Sequence, residues 1–466
     1  MTTTALILAA GKGTRMRSSL PKVLHPLCGW PMTRWVMEAA KGAGAAPVVV
    51  VGHQAERVRA ALGDGAGYAL QAEQKGTGHA VLCAADALPR AGVLLVLAGD
   101  TPLVRPETLR ALLDGHGDAL CTVLTAMLEP HEVPASAYGR LVRDAEGRAQ
   151  RVVEAANATP PERLVREYNS GIYAFDAAWL IDEVLPALQP HPPKGELYLT
   201  DAVEAAAARG RLQAVCHPDA DELMGVNDRA ALSVAEAALR ARINQAWMLA
   251  GVTLRDPGSA YVDAGVRLSP DVTLGPGVVL SGACVLEEGV TVGAHAVLTD
   301  TVVRAGATIK PGTVCEGAEV GPEATVGPMA RLREGTVLGR KVKVGNFVET
   351  KKARLDDGVK ASHLSYLGDT HVGADTNIGA GTITCNYDGF GKHHTEIGAG
   401  VFVGSNAALV APVTVGHGAL IAAGSVITTD VPDDALALGR GRQRNLPDRA
   451  AELRARFAER AGKVPR

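Results

Sequence analysis

The chain has 466 residues, with 47 Lys and Arg against 50 Asp and Glu and a formal charge of −3. That length points to two or more domains, and the charge balance lacks the basic excess of a protein that neutralises many nucleic-acid phosphates. The seven cysteines, at 28, 83, 121, 216, 284, 315 and 385, form no CxxC pair and leave one over, a pattern of reduced thiols in the cytosol rather than of a disulfide framework or zinc site.

The first apolar run, ALILAA, has no basic residue before it and leads directly into GKGTR, so it predicts a buried strand and not a signal peptide. No stretch of eighteen apolar residues occurs, and no membrane insertion is expected. Through the first half, short apolar runs alternate with helical spacing: TALILAA, a helix from about Met32, PVVVVG, a second helix, then GVLLVLAGD followed by PETLRALL. This rhythm predicts an α/β, Rossmann-like domain with a mostly parallel sheet, whose ligands bind in the loops beyond the strand ends.

Two of those loops carry chemistry. In LAAGKGTRM (Leu8–Met16) and the following LPKVLHPL, Gly11 and Gly13 let backbone amides approach an anion while Lys12, Arg15 and Lys22 supply positive charge. Neither a Walker A loop nor a dinucleotide fingerprint fits the spacing, and the loop reads equally as an ordinary turn with solvated charges. In LAGDTPLV, Asp100 directly follows the apolar run; such an acid can hold a divalent cation against phosphates, or it can simply form the turn before Pro102.

Taken in order, LAAGKGTRM, PKVLHPL, LQAEQKGTGHA, LAGDTPL, AYGRLV, the VVE ending at Glu154, YNSGIY and MGVNDR resemble the sugar-1-phosphate nucleotidyltransferases over about residues 4–229. The likeness is to the uridylyltransferase half of bifunctional N-acetylglucosamine-1-phosphate enzymes. It implies that Leu8, Ala9, Ala10, Gly11, Arg15 and Lys22 grip UTP, with Arg15 and Lys22 catalytic. It further implies base contacts from Gln71, Gly76 and Thr77, sugar contacts from Gly139, Glu154 and Asn169, and Mg²⁺ ligands in Asp100 and Asn227. Asn227 could also cap the helix that follows it. The chain departs from the family pattern at Ala98, where Tyr is frequent, and at Ala155, where a Lys is expected; both border the sugar site. A sugar phosphate already presents an anionic oxygen, so its attack on the α-phosphorus needs charge neutralisation and alignment more than a general base.

NDRAALSVAEAALRARINQAWMLAGV follows, with apolar residues at three- and four-residue steps and Gly251 as a stop. It predicts a linker helix over 230–250 between a domain at 1–229 and another at 251–440.

The second domain repeats every six residues. Val266, Val272, Val278, Cys284, Val290, Ala296, Val302, Thr308, Val314, Val320, Val326, Leu332, Leu338 and Val344 are all small or medium and are expected to point inward in a solenoid. The register returns at Val372 and Ile378, then at Ile397, Val403, Leu409, Val415, Ile421 and Ile427. Nineteen positions separate Ile378 from Ile397, so the Gly-rich TNIGAGTITCNYDGFG must send extra backbone out as a loop. The pattern resembles the left-handed parallel β-helix of hexapeptide-repeat acyltransferases, a fold commonly trimeric, and this resemblance alone supplies the handedness and the expected homotrimer.

NFVETKKARL, KASHLSYLGD and NIGAGTITCNYDG resemble the acetyltransferase half of the same bifunctional enzymes. The likeness implies glucosamine 1-phosphate contacts from Arg333, Lys351, Tyr366 and Asn377. It implies acetyl-CoA contacts from Ala380, Asn386, Tyr387, Ser405, Ala423 and Arg440, and a general base in His363. An amino sugar is largely protonated near neutral pH and needs such a base before it can attack a thioester, and Glu349 is placed to orient the imidazole. Without those flanking motifs, His363 reads as a surface residue. The Arg-rich tail, 441–466, has helical spacing and reads as a solvated helix or a phosphate-gripping arm. The whole resemblance implies a cytosolic enzyme that makes UDP-N-acetylglucosamine for bacterial peptidoglycan and lipopolysaccharide precursors. Small-molecule substrates are its expected partners. A nucleotidyltransferase with a purely architectural β-helix and a non-catalytic scaffold are the competing readings.

Overall fold

The computed structural model describes residues 3–192 and 195–462. Its contacts divide the chain into two compact units, Met1–Trp247 with Tyr261–Val266, and Met248–Ala260 with Arg267–Arg466.

In the first unit the apolar runs form strands β1 (Thr3–Ala9), β2 (Ala45–Val51), β3 (Gly67–Leu70), β4 (Val93–Ala98), β5 (Cys121–Met127), β6 (Arg140–Arg143), β7 (Ala149–Val153), β8 (Glu167–Asp176) and β9 (Leu212–Cys216). The main sheet has the order β9-β5-β8-β4-β1-β2-β3, with β6 and β7 as a hairpin joined through β8. It is mostly parallel, as expected, and β8 is the antiparallel exception against both β4 and β5. Alternation along each strand divides the core. Ala5, Ile7, Leu95 and Leu97 face α1 (Met32–Gly42), while Leu6, Leu94 and Val96 face α3 (Thr77–Ala84) and α5 (Asp201–Ala208). The intervening helices are α2 (Ala55–Leu62) and α4 (Pro106–Asp114). Each fully buried Leu or Val here contributes about 1.5–3 kcal/mol, so this two-sided core fixes the strand ends from which the loops project. Helix α6 (Arg229–Leu249) lays Ala235 and Leu239 against Leu27, Met32 and Leu103.

The second unit is a parallel β-helix of three ladders. Thr273, Thr291, Thr308, Thr325, Lys343 and Lys360 stack along its first face. Val279, Val297, Val314, Arg331, Glu349 and Tyr366 stack along the second. The inward positions of each six-residue step are two, as at Val266 and Leu268, both buried.

The unbroken count of six fails in one stretch. Val302, Thr308 and Val314, expected inward, are half-exposed; Thr301, Ala307 and Thr313 take the interior places, with Val303, Ile309 and Cys315 beside them. The cause is a step of five residues from Ala296 to Thr301. A second step of five, from Thr313 to Ala318, restores the count at Val320, and Val320 through Val344 are buried as expected.

The predicted loop is where the coils lengthen. Lys343 stacks on Lys360, 17 residues on, but Asn377 stacks on Phe402, 25 residues on. The extra backbone is a hairpin closed by Tyr387 and Lys392, with Phe390 at its tip fully exposed.

Glycines that follow inward residues serve close approach between coils. A Cβ on Gly345 would strike the carbonyl oxygen of Ser362 on the next coil. Gly345→Ala is therefore expected to lower stability by about 1–3 kcal/mol, read as a shift in denaturant midpoint without a change of slope. The tail forms an exposed helix, Arg449–Arg460; its last four residues lie outside the described residues.

Candidate active sites

A cleft of about 620 Å³ opens at the carboxyl ends of the first unit's strands. Its floor is the end of β1, with Leu8, Ala9, Ala10 and Gly11, followed by Gly13, Arg15 and Lys22. Lys12, by contrast, is exposed and is not among the lining residues.

Asp100 reaches the same cleft because β4 ends beside β1. The Gly99 amide donates to the Leu8 carbonyl at 3.0 Å, and the Asp100 carbonyl accepts from the Val226 amide at 2.8 Å, which brings Asn227 alongside. The Lys22 ammonium forms an ion pair with the Asp100 carboxylate and donates to the Asn227 amide oxygen at 2.9 Å, where Arg15 also donates at 2.8 Å. Asn227 is not the helix cap: Asp228 takes that role, accepting from the Ala231 amide at 2.9 Å. The two oxygens that meet at Lys22 are hard donors, and one or two such oxygens with substrate phosphates are the usual ligand set of Mg²⁺. The residues therefore fit that ion.

Another wall of the cleft is the turn to which the family resemblance assigns base contacts. Gln71 is buried, its amide donating to the Gly76 carbonyl at 3.1 Å. Gly76 adopts φ +101°, and a Cβ there would lie 2.5 Å from the Leu197 carbonyl oxygen, so only glycine fits. The Thr77 hydroxyl accepts from the Leu199 amide at 3.1 Å. This docking carries Glu196, Tyr198 and Thr200 into the cleft wall, residues that sequence reasoning missed because GELYLTD has no periodic or motif signal.

Gly139, Glu154 and Asn169 belong together through strand register. Arg140 pairs with Val153 and with Tyr168, so Gly139, Glu154 and Asn169 are each one residue removed from the same level of the ladder. The Asn169 amide donates to the Gly139 carbonyl at 2.9 Å. Ala98 lines the cleft beside Gly171.

Burial pushes the Glu154 carboxyl above its ordinary range; a hydrogen bond from Thr200 opposes this, and the charges of Glu196 and Asp201 add to it. A folded-state value above the unfolded one makes the ionised carboxylate a liability, absent below the unfolded value near pH 4 and complete once pH passes the folded one. Glu154→Gln is accordingly expected to raise Tm at neutral pH and to leave it unchanged below about pH 4. Thermal melts at both pH values check this.

On the β-helix, register places five residues on one corner. Asn346 pairs with His363, and the adjoining inward residues Ala361, Ile378, Val403 and Ile421 stack in turn, so His363, Ala380, Ser405 and Ala423 follow one another along that corner. Arg440 extends the row by donating to the Ala423 carbonyl at 2.8 Å. His363 and Ser405 are exposed. Asn386 is buried and donates to Asp369 at 2.5 Å and to the Tyr366 hydroxyl at 3.5 Å, anchoring the hairpin that presents the exposed Tyr387.

Tyr366 stands on the second face next to this corner, with Lys351 one coil earlier and Arg333 another coil before it. Asn377 lies on the first face, on the other side of the corner. Glu349 is not the partner of His363: it pairs with Arg333 at 2.9 Å and stands on the second face, whereas His363 ends a strand of the first.

This combination defines a nucleotidyltransferase joined to a hexapeptide-repeat transferase. Residues 5–168 match the model of the MobA-like NTP transferase domain, 257–355 that of the GMPPB C-terminal domain, and 394–429 that of the bacterial transferase hexapeptide. Proteins named "Bifunctional protein GlmU" from Pelobacter propionicus and Trichlorobacter lovleyi are 52% and 51% identical, each over 95% of this chain and 96% of their own length. The one from Geobacter sulfurreducens is 49% identical over 95% and 97%. The chain belongs to the GlmU family of bifunctional proteins. It is a bifunctional transferase of UDP-N-acetylglucosamine synthesis. No helix among the described residues is long and apolar enough to cross a membrane.

Proposed function

We propose that the cleft of the first unit joins UTP to N-acetylglucosamine 1-phosphate, and that the corner and second face of the β-helix acetylate glucosamine 1-phosphate from acetyl-CoA. The observation that carries the reading is the convergence of Lys22 on both Asp100 and Asn227 beneath the glycine turn. Positive charge and two hard oxygens gathered in the same cleft as Gly139, Glu154 and Asn169 support a triphosphate site beside a sugar site.

Lys22 and Arg15 draw negative charge from the α-phosphate as the sugar phosphate oxygen attacks and pyrophosphate departs. Asp100 and Asn227 hold Mg²⁺, which when bound neutralises phosphate charge. Gln71, Gly76 and Thr77 read the base, while Glu154 and Asn169 orient the sugar. At the β-helix, Lys351 and Arg333 bind the phosphate of the amino sugar beside Tyr366, and Asn377 completes its seat from the first face. His363 removes the ammonium proton so that nitrogen attacks the thioester carbonyl and the coenzyme thiolate leaves. Acetyl-CoA lies along the row of Ala380, Ser405, Ala423 and Arg440, covered by Asn386 and Tyr387.

The functional divisions are 1–229 for uridylyl transfer, 230–250 for the linker helix, 251–440 for acetyl transfer and 441–466 for the tail. The chain works in the cytosol and assembles as a homotrimer. Met329, Phe347 and Leu364, more than half exposed at one corner of successive coils, support assembly.

The test supplies glucosamine 1-phosphate, acetyl-CoA, UTP and Mg²⁺ and follows products by mass spectrometry, omitting each in turn. Acetylated sugar phosphate is expected without UTP, and UDP-N-acetylglucosamine only with all four. Formation of no nucleotide sugar from N-acetylglucosamine 1-phosphate and UTP would refute the cleft assignment.

A further inference from the structure

Arg140 is the largest fully buried side chain among the described residues, 2% exposed. Among the described residues its hydrogen bonds go to no carboxylate. Its guanidinium donates to the carbonyl oxygens of Tyr138, Val133 at 3.2 Å and Ser136 at 3.4 Å, and to the Ser136 hydroxyl at 3.5 Å. Its Nε–H finds no partner. Burying a cation against carbonyl and hydroxyl oxygens with no carboxylate is an unfavourable way to fill a core, so the hydrogen bonds themselves are what the position supplies.

Those carbonyls belong to the loop between β5 and β6, and that loop is a wall of the uridylyl cleft through Ala137, Tyr138 and Gly139. Tyr138 stacks on Tyr168 with ring centroids 4.6 Å apart, and its hydroxyl accepts from the Gly225 amide at 3.1 Å, two residues before Asn227. A guanidinium fork that holds three carbonyls of this one loop therefore fixes Gly139 at the sugar side of the cleft, while the Tyr138 ring has anchors of its own in Tyr168 and the Gly225 amide.

We propose that Arg140 is a positioning residue for the sugar phosphate in uridylyl transfer, setting the loop wall of the cleft without touching substrate. This rests on the uridylyltransferase reading of the cleft. Lysine keeps the charge but presents a single ammonium that cannot span three carbonyls, and methionine removes the donors while filling much of the volume.

The experiment measures kcat and both KM values for uridylyl transfer in Arg140→Lys and Arg140→Met, with acetyl transfer by the same chain as the control for folded protein. The KM for N-acetylglucosamine 1-phosphate is expected to rise about tenfold in Arg140→Met and less in Arg140→Lys, with the KM for UTP and the acetyl transfer rate within about twofold of wild type. A purely structural role would lower kcat by loss of active protein and leave both KM values in place, and that result would overturn the proposal. So would equal rises in the two KM values. If Arg140→Met does not fold, an unchanged sugar-phosphate KM in Arg140→Lys overturns it as well. Absence of uridylyl transfer in the wild-type chain would instead overturn the reading of the cleft.

Discussion

Asp100→Asn is expected to lower uridylyl transfer about a thousandfold while acetyl transfer by the same chain stays within about twofold of wild type. The substitution is close to isosteric, and the backbone at this position is held independently, by the end of β4 on one side and by the Val226 amide on the other. What disappears is a negative charge that the structure pairs with Lys22. On the proposed reading a divalent cation would lose its charged ligand and keep only the Asn227 oxygen; charge stabilisation of about 4 kcal/mol in the transition state corresponds to the stated factor. Pyrophosphate release is the measure, at several Mg²⁺ concentrations, and the half-saturating concentration should rise along with the loss of rate. A variant within about threefold of wild type at low Mg²⁺ would remove Asp100 from the metal site.

How far this site was legible in the sequence depends on the residue. Strand ends were plain, because TALILAA and VLLVLA are continuous apolar runs that only a sheet covered on both faces can bury. The loops that follow them were therefore located from periodicity alone. Gln71, Glu154 and Asn169 were reached through resemblance, since their meeting depends on pairing between strands far apart in the chain, which local pattern does not encode. Asn227 was read as a ligand that could also cap the helix; the Asp228 carboxylate takes the cap, and the Asn227 amide oxygen accepts from Lys22 and Arg15 instead. Tyr198 and Thr200 gave no sign at all: their place is set by the contact of Leu197 with a glycine more than a hundred residues earlier.

The β-helix hid its irregularities for a different reason. Each step has two inward positions, i and i+2, and both are commonly aliphatic. A step of five puts Val303 inside and leaves Val302 outside, yet the string reads the same to a count of six. After the second short step the count lands on the other inward position and looks correct again. Coil length is thus set by which residue the coil below can accommodate, information that is absent from any single repeat. The hairpin after Thr384 was visible because glycines and Asn-Tyr-Asp break the aliphatic row there.

His363→Ala is expected to reduce acetyl transfer about a hundredfold to ten-thousandfold, the range of general-base contributions, and to leave uridylyl transfer unchanged. The position tolerates the loss: the ring is exposed at a corner, no core contact is removed, and the Ser365 hydroxyl bonds the backbone carbonyl of residue 363, which alanine retains. The pH profile separates a base from a mere contact. An imidazole acting as the proposed base would draw the proton from a bound ammonium, so the rate need not follow the small fraction of amine that is free in solution. In the alanine variant only that free amine can attack, and the residual rate should climb about tenfold per pH unit up to the pKa of the amino sugar itself. A residual rate that fell with rising pH, or a variant that acetylated near the wild-type rate while giving a native melting curve, would place the base at another residue.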